Sequence, residues 1–352
     1  MSTEPAPNST DSAGRVMRIA RGRRALRLGI GTALCLATSF GLGWPIPMVA
    51  PVLGVFLLAT ISRPLPLKAA LAIVLMVMLT TGSGLLLVPL LRHYKFSGVL
   101  LVALGLFLAF RYGLRGGNNL VSTFLAAGLT MIAAAGTADF WLAVTVIVAL
   151  ARGLLLAALA LTLMHWLFPD PPAVKAPPAA RPMPDSEAGW IALRATLVVL
   201  PAFLLALSDP AAYMPIIMKS VSLGRQSCTT ARGAARELLG STLFGGLLAI
   251  LFWCALSLFV HLWMFFLWMA LFALLVARKL YAANPTSPPG FWLNSLVTLI
   301  ILLGQSVEDS AAGKDVYTAF VVRMGLFVAV TLYACLMLEL LDYHRRASPH
   351  SP

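Results

Sequence analysis

The stretch PDPPAVKAPPAARPMPDSEAG, Pro169–Gly189, is the only long proline-laden, polar interval between the two ends of the chain. Proline has no backbone donor and a fixed φ, so a run this dense in it is not helical. In hydrocarbon every backbone group must be paired within the segment, so the run belongs in water. On each side of it lies an apolar region of roughly 140 residues. Half, linker, half is the frame for everything else.

Of the 352 residues, 60% are hydrophobic and only 11% are charged. A soluble domain averages about 25% charged. With a mean hydropathy of +0.89 the chain is expected to be an all-α, polytopic integral membrane protein. The net charge of +13 does not point to nucleic acid, because the Lys and Arg residues form no continuous face. They read instead as topology signals. Cys35, Cys228, Cys254 and Cys335 show no CxxC spacing and read as small buried hydrophobes, so neither metal nor cofactor is expected. Residues 1–14 read as a disordered tail, and no signal peptide precedes the first span.

Hydropathy places twelve apolar segments. The first six are 27–44, 48–62, 68–91, 96–111, 119–136 and 140–168. The second six are 190–208, 211–223, 238–260, 262–278, 291–307 and 316–342. The expected organisation is a basic N-terminal tail (1–26), a six-span repeat (27–168), the linker (169–189), a second six-span repeat (190–342) and a C-terminal tail (343–352). Four correspondences support duplication: Arg27 with Arg194 and Arg111 with Arg278 at an offset of 167, Arg152 with Arg323 at 171, and Asn119 with Asn294 at 175. Six spans is an even number, so the two copies face the same way, as a parallel repeat.

Nineteen Lys and Arg residues fall on the linker side of these spans, three on the other, and four inside spans. The positive-inside bias therefore puts linker and both termini in the cytoplasm of a bacterial inner membrane. Trp44, Trp141 and Trp263 are expected at the outer interface, and Trp166, Trp190 and Trp292 at the inner one.

Three sets of residues are candidates for chemistry. Segments two and eight are too short to cross straight and carry Pro51 and Pro215 at matching places. Short, proline-interrupted segments in both halves point to a transporter's substrate site. Arg152 and Arg323 lie within equivalent spans, where an Arg is costly. A guanidinium in a polar cavity clamps a carboxylate, so both are candidates for binding an organic anion. A structural ion pair with Asp139, Asp209 or Asp315 is the alternative. Lys219 in segment eight is either a further anion contact or a snorkelling side chain. Third, Gln305, Glu308, Asp309 and Asp315, with Asp139 and Asp209, form acidic outer turns. They exchange protons during antiport, dock a partner, or form a solvated loop. No Walker A, HExxH or GxSxG pattern is present, so neither an ATP site of that type nor an enzyme is expected.

The stretches RLGIGTALCLATSFGLGWPIPMVAPVLGVFLLA (Arg27–Ala59) and GQSVEDSAAGKDVYTAFVVR (Gly304–Arg323) resemble the fusaric acid resistance protein-like (FUSC-like) superfamily of aromatic acid exporters. They are closest to a short branch described only as a membrane domain of unknown function. The resemblance implies an inner-membrane efflux component with two six-span halves that exports aromatic carboxylic acids. It also implies a periplasmic membrane-fusion adaptor and an outer-membrane channel as partners. Larger members carry a cytosolic domain between the halves, where this chain has only Pro169–Gly189.

The expected function is thus proton-coupled export of a lipophilic organic anion. The partners are the lipid bilayer, that small organic-anion substrate and the adaptor and channel, with a homo-oligomer left open and no nucleic acid. The rival from another class is a membrane scaffold or assembly subunit that transports nothing.

Overall fold

A computed structural model of the chain describes residues 9–61, 63–169, 183–229, 234–282 and 287–347. Most of the linker, including Lys175 and Arg181, lies outside the described residues, as do Arg232 and the two extreme ends of the chain. The described residues are helical, without a strand among them.

The first half holds α1 (Ser9–Gly41), α2 (Val49–Thr60), α3 (Leu67–Gly82), α4 (Val88–His93), α5 (Lys95–Leu114), α6 (Asn119–Ala127), α7 (Ala133–Ala138) and α8 (Phe140–Leu167). A 3₁₀ turn, Ser83–Leu87, joins α3 to α4, and a π turn, Gly128–Ile132, joins α6 to α7. The second half holds α9 (Asp185–Ala206), α10 (Pro210–Thr229), α11 (Ala234–Leu258), α12 (Leu262–Leu280), α13 (Pro289–Ala311) and α14 (Val316–Ala347). Among the described residues, nine helical stretches are long and apolar enough to cross a membrane. Leu79, Leu86, Phe96, Trp141, Trp166 and Trp263 stand exposed around the bundle, an inside-out arrangement suited to lipid.

Helix starts follow local chemistry. Asn118 caps α6 by accepting from Leu120 N at 2.9 Å, and Asp139 caps α8 by accepting from Trp141 N at 3.2 Å. Asp315 does the same before α14, accepting from Tyr317 N at 3.1 Å. An Asp or Asn side chain there satisfies an amide that has no partner in the helix. After α13 the chain reverses through Gly313 at φ 69°, a left-handed conformation that glycine adopts without strain.

Two expectations about the short segments change. The helix containing Pro51 is indeed short, 12 residues or about 18 Å. Pro51 does not interrupt it, because it is the third residue of the first turn, where an amide has no intrahelical partner anyway. The second segment is not short: α10 runs 20 residues to Thr229, past the polar residues at which hydropathy stops. Pro215 lies inside α10, and Pro201 lies inside α9. Trp292 also departs from the interface pattern; it is buried, edge-on to Phe244 and Phe291.

The helices pack in matched pairs. α1 lies along α12, and α9 lies along α5, so each half lends its first helix to the other. Within the halves α2 packs on α8 as α10 does on α14, and α3 on α6 as α11 does on α13. The α6–α7 rod and α13 are the most enclosed spans. At the linker end, Met183 N donates to Leu114 O at 3.2 Å, and Arg115 Nε sits 2.7 Å from Asp185. Arg23 Nη1 donates to Pro169 O at 2.6 Å. The ends of α5, α8 and the start of α9 are thereby gathered at one end of the bundle.

Candidate functional site

The seam between the halves encloses an apolar cavity of about 90 Å³. Its wall comes from α2 (Val52, Leu53, Phe56, Leu57), α6 (Leu120, Thr123, Phe124, Ala127), α8 (Leu150), α10 (Met218, Val221, Ser222) and α13 (Val297, Ile301), with Met131 between α6 and α7. Thr123 and Ser222 are its only hydroxyl-bearing residues. The second and fifth rods of each half meet here, with Leu150 of α8 completing the wall. A cavity so lined takes an apolar body and holds it without orienting polar contacts.

Directly behind the α10–α13 wall lies a buried polar network. Lys219 is completely buried. Its Nζ donates to Asn294 Oδ1 at 2.9 Å and to Thr298 Oγ1 at 2.7 Å. Asn294 Nδ2 donates to Ser241 Oγ at 2.6 Å, and Ser295 Oγ donates to Ser241 O at 3.1 Å. Among the described residues no carboxylate pairs with Lys219. The expectation of snorkelling is corrected: the side chain points from α10 into the α11–α13 contact.

The end of the bundle away from the linker opens into a polar vestibule of about 820 Å³. Asp209, Gln305, Glu308, Asp309, Asp315 and Arg323, six of the residues picked from the sequence, line it together. Tyr213, Lys314 and Thr318 complete its polar wall. Arg323 is engaged by a carboxylate of the chain itself. Its Nη1 donates to Asp309 Oδ2 and its Nη2 to Asp309 Oδ1 at 3.0 Å, a two-pronged ion pair. A structural ion pair was the alternative for Arg323, but its partner is Asp309 rather than the acids first considered. Four carboxylates against Lys314 and Arg323 leave the vestibule acidic. A smaller cleft of about 470 Å³ at the same end is basic, lined by Arg92, Lys95, Thr137 and Ser208.

Three sequence candidates fall elsewhere. Arg152 is exposed on α8 and is not brought together with Arg323 or with the seam cavity. Asp139 is exposed and serves as the α8 cap. Pro51 and Pro215 are buried in α2 and α10, near the cavity but not in its wall. Hydropathy missed Asn294, Thr298 and Ser241 as partners of Lys219, since a lone Ser, Thr or Asn in an apolar run gives no sign of what it faces.

Asp315 is held as a charged cap. The Thr318 hydroxyl, then the amides of Tyr317 and Thr318, keep its carboxyl below the usual range. A depressed carboxylate stabilises the fold above its unfolded pKa and loses that contribution as pH falls through its folded pKa. Thr318→Ala is therefore expected to raise the Asp315 pKa and fray the start of α14 at a higher pH. An NMR titration of the Asp315 carboxyl checks this, and an unmoved midpoint would exclude the hydroxyl as the cause.

No curated protein and no solved structure matches the chain. No model of the FUSC-like superfamily matches either. Residues 24–164, most of the first half, match the model of a family described only as a protein of unknown function, DUF2955.

Proposed function

We propose that the chain is an inner-membrane exporter of lipophilic organic acids, built of twelve spans as two parallel six-helix repeats. The observation that carries this is the apolar cavity at the seam, walled mainly by the second and fifth rods of both halves. Sites between structural repeats near mid-membrane are where transporters hold their cargo. The repeat is supported by the exchanged first helices, by the matched packing pairs, and by Asp139 and Asp315 capping equivalent helices.

The anionic character of the cargo is supported by Lys219, a buried amine next in sequence to Met218 of the cavity wall. It no longer rests on Arg152 or Arg323. An acidic vestibule does not retain an anion, and the neighbouring cleft with Arg92 and Lys95 offers a favourable way out. Orientation with the linker in the cytoplasm follows from the Lys and Arg bias. An adaptor and outer channel docked at the vestibule end, and proton coupling, complete the proposal.

Cellular accumulation of benzoate, cinnamate and uncharged aromatic analogues, with and without the protein, tests it. Lower accumulation of the acids is expected in expressing cells. Val297→Trp, which fills the cavity, should restore accumulation to the level of cells without the protein, while Arg152→Gln should stay within about twofold of wild type. Equal accumulation across the panel, with the protein present in the membrane, would overturn the proposal.

A further inference from the structure

The hydrogen bonds of Lys219 bear on its protonation state. An ammonium offers three donors and accepts nothing, whereas a neutral amine offers two and keeps a lone pair. Nζ has two acceptors, Asn294 Oδ1 at 2.9 Å and Thr298 Oγ1 at 2.7 Å, and neither is charged. The hydroxyls nearby have their own protons committed: Thr298 Oγ1 donates to Asn294 O at 2.7 Å, and Ser241 Oγ to Leu238 O at 3.0 Å. Two donors meet two acceptors, and a third N–H would have none. A full charge here would also stand in a membrane interior without a counter-ion, a costly state.

Among the described residues no counter-ion faces Nζ. Among residues with described side chains, the titratable and charged groups on the elements packed against α10 are Asp185, Glu187 and Arg194 on α9, Lys95, Arg111 and Tyr112 on α5, Glu308 and Asp309 on α13, and Tyr317, Arg323, Tyr333, Cys335 and Glu339 on α14. α6 and α7 carry none. On α11, reached through Asn294, they are Glu237 and Cys254, the side chain of Arg236 lying outside the described residues. None of these hydrogen-bonds or ion-pairs with Nζ among the described residues. Glu237 lies one helical turn before Ser241, a carboxyl placed between the network and the linker end.

We propose that Lys219 is a proton-binding site in the membrane interior, holding a neutral amine in this conformation and taking up one proton when the α10–α13 seam opens. The Nζ lone pair forms the new N–H bond: amine plus hydronium gives ammonium plus water. Met218, Val221, Ser222 and Val297 of that seam wall the central cavity, so protonation and access to the cavity are linked. A carboxylate in the cavity supplies the charge that the empty site lacks. The link to cargo rests on the transport proposal; the protonation state does not.

The chain has six lysines, which makes the state directly observable. In full-length protein carrying ¹⁵Nζ-lysine, in lipid nanodiscs at neutral pH, NMR is expected to show one amine signal beside the ammonium signals. The amine signal should vanish in Lys219→Met and convert to ammonium as the pH is lowered. Asn294→Asp, which supplies a counter-ion, should convert it at neutral pH without removing the lysine, and covers the case in which Lys219→Met does not fold. Ammonium signals from every lysine at neutral pH, or an amine signal indifferent to Asn294→Asp, would overturn the proposal. Adding benzoate should draw about one proton per chain from solution in wild type and none in Lys219→Met. Equal uptake by both would overturn the linkage. If cells expressing the protein do not export acids while the amine signal is present, the transport proposal falls and the assignment of Lys219 stands.

Discussion

Gly84→Ala is expected to be the most damaging single-methyl change in the molecule. A Cβ at Gly84 would lie 2.0 Å from Gly128 O, and one at Gly128 would lie 2.6 Å from Thr81 Cα. Carbon contacts settle near 3.5–4.0 Å, and these neighbours are backbone that cannot turn aside. The crossing is also where both rods change winding, the 3₁₀ turn Ser83–Leu87 facing the π turn Gly128–Ile132. Pro89 explains the first of these: it has no N–H to donate to Leu85 O, and Val88 N takes that carbonyl instead. Thr80, Thr81 and Ser83 bond back to carbonyls three or four residues earlier, which bends the rod further. Alanine at Gly84 must push the rods apart along this contact, at a cost of about 3 kcal/mol. Gly325→Ala on α14 has nothing within 4 Å and is the matched control, expected to be neutral or slightly stabilising. Thermal unfolding of the two variants in one detergent measures the difference. Equal midpoints would mean that the rods do not touch at Gly84.

That crossing marks the boundary of what the sequence discloses. Thr81-Gly82-Ser83-Gly84 is visible as a soft point in an apolar span, but its partner, Gly128, is not. Hydropathy reports how a segment partitions, and so it located the apolar helices and the outward-facing Trp141, Trp166 and Trp263, but it missed that α1 begins at Ser9, inside the stretch 1–14 read as a disordered tail. It says little about which face meets which neighbour. Trp292 reads as an interface residue and is buried; α10 reads as ending at Leu223 and runs on to Thr229. The vestibule was legible because its residues sit on one short stretch, Gln305–Arg323, at a span end. The Lys219 network was not, because its polar residues are scattered over three separate apolar helices. Asn294, Thr298, Gln305 and Asp309 do fall within an arc of about 60° on α13 at 3.6 residues per turn. That stripe is readable in retrospect, broken only by the turn at Ile301 and Leu302.

Breaking the Asp309–Arg323 pair is the second large effect, and its sign separates a structural pair from a substrate clamp. The Asp309 side chain is 6% exposed and that of Arg323 22%, so Asp309→Ala leaves a guanidinium largely out of water with its carboxylate gone. Removing one partner of a fully buried pair costs about 3–5 kcal/mol, and the partial exposure of Arg323 reduces this to about 2–3 kcal/mol. Arg323→Met leaves Asp309 beside Glu308, whose Oε1 has no hydrogen-bond partner, and should cost a similar amount through like-charge repulsion. The double variant removes both charges and should lose only about 1 kcal/mol, giving a coupling of several kcal/mol in a double-mutant cycle. A structural pair predicts that the double variant still exports aromatic acids, because neither charge touches the cargo. A clamp predicts the opposite: Asp309→Ala would free Arg323, tighten the binding of carboxylates, and slow their release, while the double variant would lose export of acids but not of neutral analogues. The bidentate geometry and the surplus of carboxylates around it favour the structural outcome, since a guanidinium whose charge is already balanced by a carboxylate attracts a second one only weakly.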